Sequence, residues 1–187
     1  MLTTLIILIV IIGAIAGFVI SLYNALVRAR QTAEEAWSGI DVQLKRRADL
    51  IPNLVETVKG YASHERGTLE EVVEKRNKAQ SVAANDVTGR AEAEGELTQA
   101  LGRLFALSEA YPDLKANQNF ADLQASLEKT ESEIQMARRY YNGAARELNV
   151  KVESFPSNII AGQFGFEKRD YFEIDEPADR AVPNVSF

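Results

Sequence analysis

Few residues in this chain are equipped for chemistry, and their spacing is poor for it. There is a single histidine, His64, and no cysteine, against 27 acidic residues. Thiolate metal sites, disulfides and a cysteine nucleophile are therefore excluded. Carboxylates in a helical protein invite a di-iron centre, but that site takes Glu-x-x-His from two helices. Here the residue three before His64 is Tyr61, and no second histidine exists. His64-Glu65 reads instead as a helix-surface or interhelical hydrogen-bonding pair. No Gly-x-x-x-x-Gly-Lys and no strand-following Gly-x-Gly-x-x-Gly occurs, so no phosphate-cradling loop is indicated. Trp37, Tyr61, Tyr140 and Tyr141 fall at helical spacing and read as core before they read as a ligand cage. Lys45-Arg46-Arg47 reads as a solvated face, able to touch acidic lipid only if its helix folds near a membrane. No catalytic, cofactor-binding or metal-binding residue is assigned, and the chain is expected not to be an enzyme.

The elements behind these residues begin with Met1–Val27, which holds no charged residue and no histidine. Leu5 to Leu22 is almost unbroken apolar sequence. A helix of about 20 such residues crosses a ~30 Å hydrocarbon core, and only a helix satisfies the backbone of a lone segment there. Tyr23 follows at the level where amphipathic rings suit the headgroup layer. Ala14-Ile15-Ala16 resembles a signal-peptide cleavage site, yet no basic stretch precedes the run, and Phe18, Val19, Ile20 and Leu22 continue past it. An uncleaved anchor is the expectation. Arg28 and Arg30 follow the span, which places the body in the cytoplasm by the positive-inside rule and leaves an extracytoplasmic body open. Gly13 and Gly17, with Ser21 at the same spacing, form a small-residue face on which two spans can approach.

Beyond residue 27 the apolar periodicity is helical throughout. The expected fold is all-α: the transmembrane helix continues into an antiparallel four-helix bundle over residues 28–153, with helices near 28–48, 52–81, 89–110 and 119–150. Asp49 and Pro52 suggest a turn between the first two, although Leu44, Ala48, Ile51, Val55 and Val58 keep the helical phase and allow a kinked continuous helix. The inner face of the second helix is expected to take in Leu54, Val58, Tyr61, Ala62, Glu65, Leu69, Val72, Val73 and Arg76. Val82–Thr88 reads as a loop, and Asn119 as the cap of the last long helix. Residues 154–187 hold a short helix over 158–161, then a partly irregular tail in which Phe164, Phe166, Tyr171, Phe172 and Phe187 lie among acidic residues. Disordered tails are usually poor in aromatics, so this one is expected to pack in part on the bundle or on another copy. The net charge of −6 over 187 residues argues against nucleic acid as a partner. No internal repeat and no low-complexity tract is present.

The chain resembles the LemA family. The likeness rests on Tyr23-Asn24, on the run from Trp37 through Gln43-Leu44, Arg46-Arg47 and Asp49-Leu50-Ile51-Pro52-Asn53-Leu54-Val55, and on Val58-Lys59-Gly60-Tyr61-Ala62-Ser63-His64-Glu65. Leu127-Glu128, Ala137-Arg138, Tyr141-Asn142, Phe155-Pro156 and Val182-Pro183 continue it. The resemblance implies a bacterial single-span protein of the inner membrane with a four-helix bundle, no cofactor and no established activity. Its relatives include a protein of magnetosome membranes, which suggests membrane organisation. The expected role is a membrane-anchored scaffold that partners the lipid bilayer and further copies of itself. The alternative is a tethered adaptor that binds another protein through Trp37, Arg46, Arg47, His64 and Glu65.

Overall fold

The computed structural model describes residues 1–173. Its helices are α1 (Leu2–Lys59), α2 (Arg66–Ser81), α3 (Val87–Ser108), α4 (Pro112–Lys115), α5 (Gln118–Glu153) and α6 (Ser157–Phe164), and there is no strand among the described residues. The chain forms two compact units. One comprises Met1–Gly39 and Arg139–Asp170. The other comprises Ile40–Arg138 with Tyr171–Glu173.

The second unit is the bundle, and its ion pairs give the helix directions. Lys78 meets Glu96 at 2.6 Å while Arg103 reaches back to Glu71, so α2 and α3 run antiparallel. Asp41 pairs with Arg90 and Arg47 with Thr98, so α1 and α3 run parallel. Arg47 meets Glu131 and Tyr61 meets Asn117, so α1 and α5 are antiparallel. The result is an up-down-up-down bundle. Its core includes Ile51, Leu54, Val58, Leu97, Leu104 and Leu127. At one end Phe105 and Phe120 pack edge to face, with centroids 6.3 Å apart.

The predicted turn at Asp49–Pro52 is not there: α1 runs through Pro52 to Lys59. The physical reason lies on α2. Proline cannot donate to the carbonyl four residues back, which leaves the Ala48 oxygen without its helical partner. Arg76 Nε donates to that oxygen at 2.9 Å. The chain turns instead at residues 60–65, so α2 begins at Arg66 rather than at 52. The remaining predicted boundaries also shift. Asp86 accepts from the Gly89 amide at 2.8 Å and starts α3 at Val87. Asn117, not Asn119, caps α5, its side chain accepting from the Phe120 amide at 3.0 Å. The short helix expected over 158–161 extends over Ser157–Phe164 and ends at Gly165, whose φ of 68° is the left-handed conformation that glycine adopts freely.

In the first unit, α5 runs antiparallel to α1, with Trp37 against Tyr141 at 5.3 Å between centroids. Leu26, Ile160, Ala161 and Phe166 form its buried cluster, joined by Val19, Leu22, Val27 and Val152. The segment after α6 lies back on α5. Asn149 clamps the Arg169 backbone with both ends of its amide, at 2.9 and 2.8 Å, and the Tyr141 hydroxyl donates to the Asp170 carbonyl at 2.8 Å. Burial pushes the Tyr141 phenol above its ordinary pKa. Phe166 is buried in this unit, and Phe172 is buried in the other. Phe187 lies outside the described residues.

Candidate functional site

Two arrangements stand apart from ordinary packing, one in each unit. The first is the apolar start of α1 and its exit. This helix is long and apolar enough to cross a membrane, and its apolar window is wholly unburied. The core helix of a soluble protein would pass the same composition test, but it would be covered. Leu2 through Phe18 present their large side chains outward, Val19 and Leu22 are partly buried, and full burial sets in at Leu26. At the exit Tyr23 packs edge-on against Phe164 at 4.9 Å and Phe166 at 5.7 Å. The Arg30 guanidinium stands 5.1 Å from the Phe166 ring centre, a cation–π contact. Arg169 reaches Glu34 at 3.1 Å.

The second is an ionic cluster inside the bundle. Arg47 is only 1 % exposed. Its guanidinium donates to the Glu94 carboxylate, to Glu131 at 2.6 Å and to Thr98 Oγ1 at 3.0 Å. Arg90 lies 3.3 Å from the other Glu94 oxygen and 3.0 Å from Asp41. Glu94 thus sits buried between two arginines, while Glu131 and Asp41 reach solvent. The planar fork of arginine suits this because it serves several acceptors on two helices at once. Among the described residues no group of three or more His, Cys, Asp or Glu is placed to hold a metal.

The predicted interaction residues differ in exposure. Arg46 and His64 are exposed, and Trp37 is half-buried against Tyr141. Arg47 is the correction: it belongs to the bundle interior, not to a solvated face or a docking surface. Beside the exposed His64, Glu65 accepts from the Tyr111 hydroxyl at 3.1 Å, a bond to a residue far along the chain. That bond, with burial, holds the Tyr111 phenol above its ordinary pKa. Of the four aromatics read as core, Tyr141 is buried, whereas Tyr61 and Tyr140 are exposed. Gly13, Gly17 and Ser21 are exposed on the apolar helix, and a Cβ on either glycine would touch nothing within 4 Å. The reading of sequence missed Arg76, Arg90, Glu94 and Asn149 as partners. For Arg47 a signal existed: it lies three residues past Leu44 and four before Ile51, on the buried stripe.

A bare apolar helix continuous with a helical bundle defines a class, the membrane-associated helical protein. The comparisons with known proteins narrow it. Residues 36–187 match the LemA family, and the chain belongs to that family. It is 26% identical to magnetosome protein MamQ 2 of Paramagnetospirillum magneticum, over 83% of this chain and 66% of that protein. It is equally similar to magnetosome protein MamQ of Magnetospirillum gryphiswaldense, with the same coverage. Protein LemA of Metamycoplasma hominis is 28% identical, over 82% of this chain and 69% of that protein. The chain thus spans about 66% of the length of the magnetosome relatives it matches.

Proposed function

We propose that the protein is a non-enzymatic, single-span membrane anchor that self-associates and organises the bilayer it sits in. One observation carries this reading: α1 is unbroken from Leu2 to Lys59, so the bare apolar segment and the bundle share one helix. A cleavage after Ala16 would fall inside that helix, which favours retention of the anchor. The open face at Gly13, Gly17 and Ser21 supports association between spans, and the similarity to magnetosome proteins supports a membrane role. Arg28 and Arg30 favour a cytoplasmic body. The test is the size of full-length protein extracted in detergent and imaged by electron microscopy, beside a chain beginning at Ala29. Large ordered assemblies formed only by the full chain support the reading. Small monomers from both overturn self-association.

A second reading, a tethered adaptor, draws support from a groove of about 680 Å³ between the end of α1 and α2. Val55, Leu69 and Val73 give it an apolar floor, and Lys59, Arg66 and Glu70 a charged rim. Val73→Asp should abolish capture of a protein partner without changing the melting temperature; capture that survives this change refutes the adaptor reading.

A further inference from the structure

The longest charge-free stretch outside the span is Ser154–Phe166. It forms a lobe whose two ends are held together by Lys168 and Glu153 at 2.7 Å, an exposed ion pair. One side of the lobe is packed: Ile160, Ala161 and Phe166 bury against Leu26, with Val19 and Leu22 beside them. The other side is bare: Phe155 is 81% exposed and Ile159 60%, while Phe164, which turns toward Tyr23, still leaves 56% of its surface open. The polar groups among them, Asn158 and Gln163, carry no charge. Elsewhere in the body the exposed large apolar residues are single, as Val42 and Val73 are, or paired one turn apart, as Met136 and Tyr140 are on a helix rich in charge.

The position of the lobe identifies what covers it. Leu2 to Leu22 rises about 30 Å at 1.5 Å per residue, the thickness of a hydrocarbon core. Tyr23 then falls at the interface, and it is Tyr23 that Phe164 touches. The lobe therefore stands at the depth of residues 19–26, flush with the rim of the span and continuous with its apolar surface. Its charged boundary, Lys151 and Glu153 on one side and Glu167 to Asp170 on the other, stands where water begins. Short apolar faces of this kind bury roughly 5–10 Å into the headgroup and acyl boundary.

We propose that α6 and the Phe155 turn are a second membrane contact, lying in the interface of the bilayer that α1 crosses. The occupant around Phe155, Ile159 and the open edge of Phe164 is lipid. The contact fixes the height of the first unit and stops it swinging about the span. The proposal rests on the anchor reading, and its test separates the two.

The chain has no cysteine, so single-cysteine variants can be labelled cleanly. Phe155→Cys, Ile159→Cys, Ile9→Cys within the span and Glu92→Cys on the bundle are each made in the full chain. Each carries a polarity-sensitive fluorophore and enters vesicles of phosphatidylcholine and phosphatidylglycerol. Nitroxide lipids carry the quencher either near the headgroup or at the chain end. The expected result is blue-shifted emission at 155 and 159, quenched more strongly by the shallow nitroxide than by the deep one. Ile9→Cys should show the reverse preference and Glu92→Cys no quenching. If 155 and 159 behave like 92 while 9 is quenched, the anchor stands and the second contact is wrong. A blue shift at 155 and 159 that ignores nitroxide lipids and grows with protein density means that another copy covers the face, which also overturns the proposal. Absence of quenching at all four positions overturns the anchor with it.

Discussion

The passage of α1 through Pro52 depends on a side chain from another helix, and that dependence can be measured. Pro52 is exposed, so Pro52→Ala sacrifices no core packing. It gives residue 52 an N–H aimed at the Ala48 carbonyl and relieves the ring against it. Proline costs about 3 kcal/mol relative to alanine within a helix, and Arg76 recovers part of that here, so Pro52→Ala should stabilise by about 1–3 kcal/mol. Arg76→Met keeps the aliphatic stem but withdraws the 2.9 Å bond, leaving a carbonyl on a residue that is 4% exposed. An acceptor stranded this way costs about 1–3 kcal/mol. With alanine at 52 the carbonyl has its own helical donor, so Arg76→Met should cost about 1–2 kcal/mol less in that background. The assay is thermal unfolding of the full chain in one detergent, followed by circular dichroism. At roughly 2–4 °C per kcal/mol for a body of this size, the coupling amounts to several degrees. Arg103→Met, which removes an exposed pair with Glu71, should show no coupling to residue 52. Strictly additive shifts for Pro52 and Arg76 would refute the account.

Arg47→Met should destabilise by about 3–5 kcal/mol, since it leaves Glu94 buried with only Arg90, and a melt lowered by less than a few degrees contradicts this. Asn149→Ala removes both bonds to the Arg169 backbone, so amide exchange over residues 166–173 should speed up while the α2–α3 amides keep their protection. Glu96 is depressed below its ordinary 4.5, first by hydrogen bonds from Lys78 and Lys75. Its contribution is therefore complete above about pH 4.5 and lost as pH falls through the lowered value, so the melting gap between the natural chain and Glu96→Gln should close only on acidification. Lys75 is raised above 10.5, chiefly by Glu96, and its share fades only at higher pH than that.

Helical class and the long apolar N-terminal helix were legible because both are local properties. An unbroken apolar run and a three-four spacing need no partner to be recognised. Pro52 misleads because the cost of a helical proline depends on whether a donor arrives from elsewhere, and Arg76 is 24 residues away in sequence on α2. Periodicity placed Arg76 on the inner face, but nothing in the spacing tells which carbonyl it meets. Arg47 misleads for a different reason. Its neighbours Lys45 and Arg46 are exposed, and a run of three basic residues hides the one that turns inward with Leu44 and Ile51. The α6 lobe escapes a residue-by-residue reading because its aromatics fall in a tail expected to pack on the bundle; only the burial of Ile160 and Ala161 shows that Phe155 and Ile159 are left open.

A buried ionic cluster is a poor way to gain stability, since well-packed apolar residues of similar volume often do as well or better by about 1–4 kcal/mol. Its value here is positional. The bundle interior is mostly leucine, valine and alanine, and sliding α3 or α5 past α1 by two turns would bring similar residues into contact. Such a slip would leave Arg47 buried without Glu94, Thr98 and Glu131, which come from two different helices and meet it in one register. Arg47→Met combined with Glu94→Met removes that penalty and leaves Arg90 its partner Asp41. The double variant should recover most of the stability lost by Arg47→Met alone, yet populate more than one register. Amide spectra of the full chain in detergent would then show doubled peaks along α1, α3 and α5. A single set of peaks with recovered stability would show that apolar packing alone selects the register, and the ionic cluster would have no positional role.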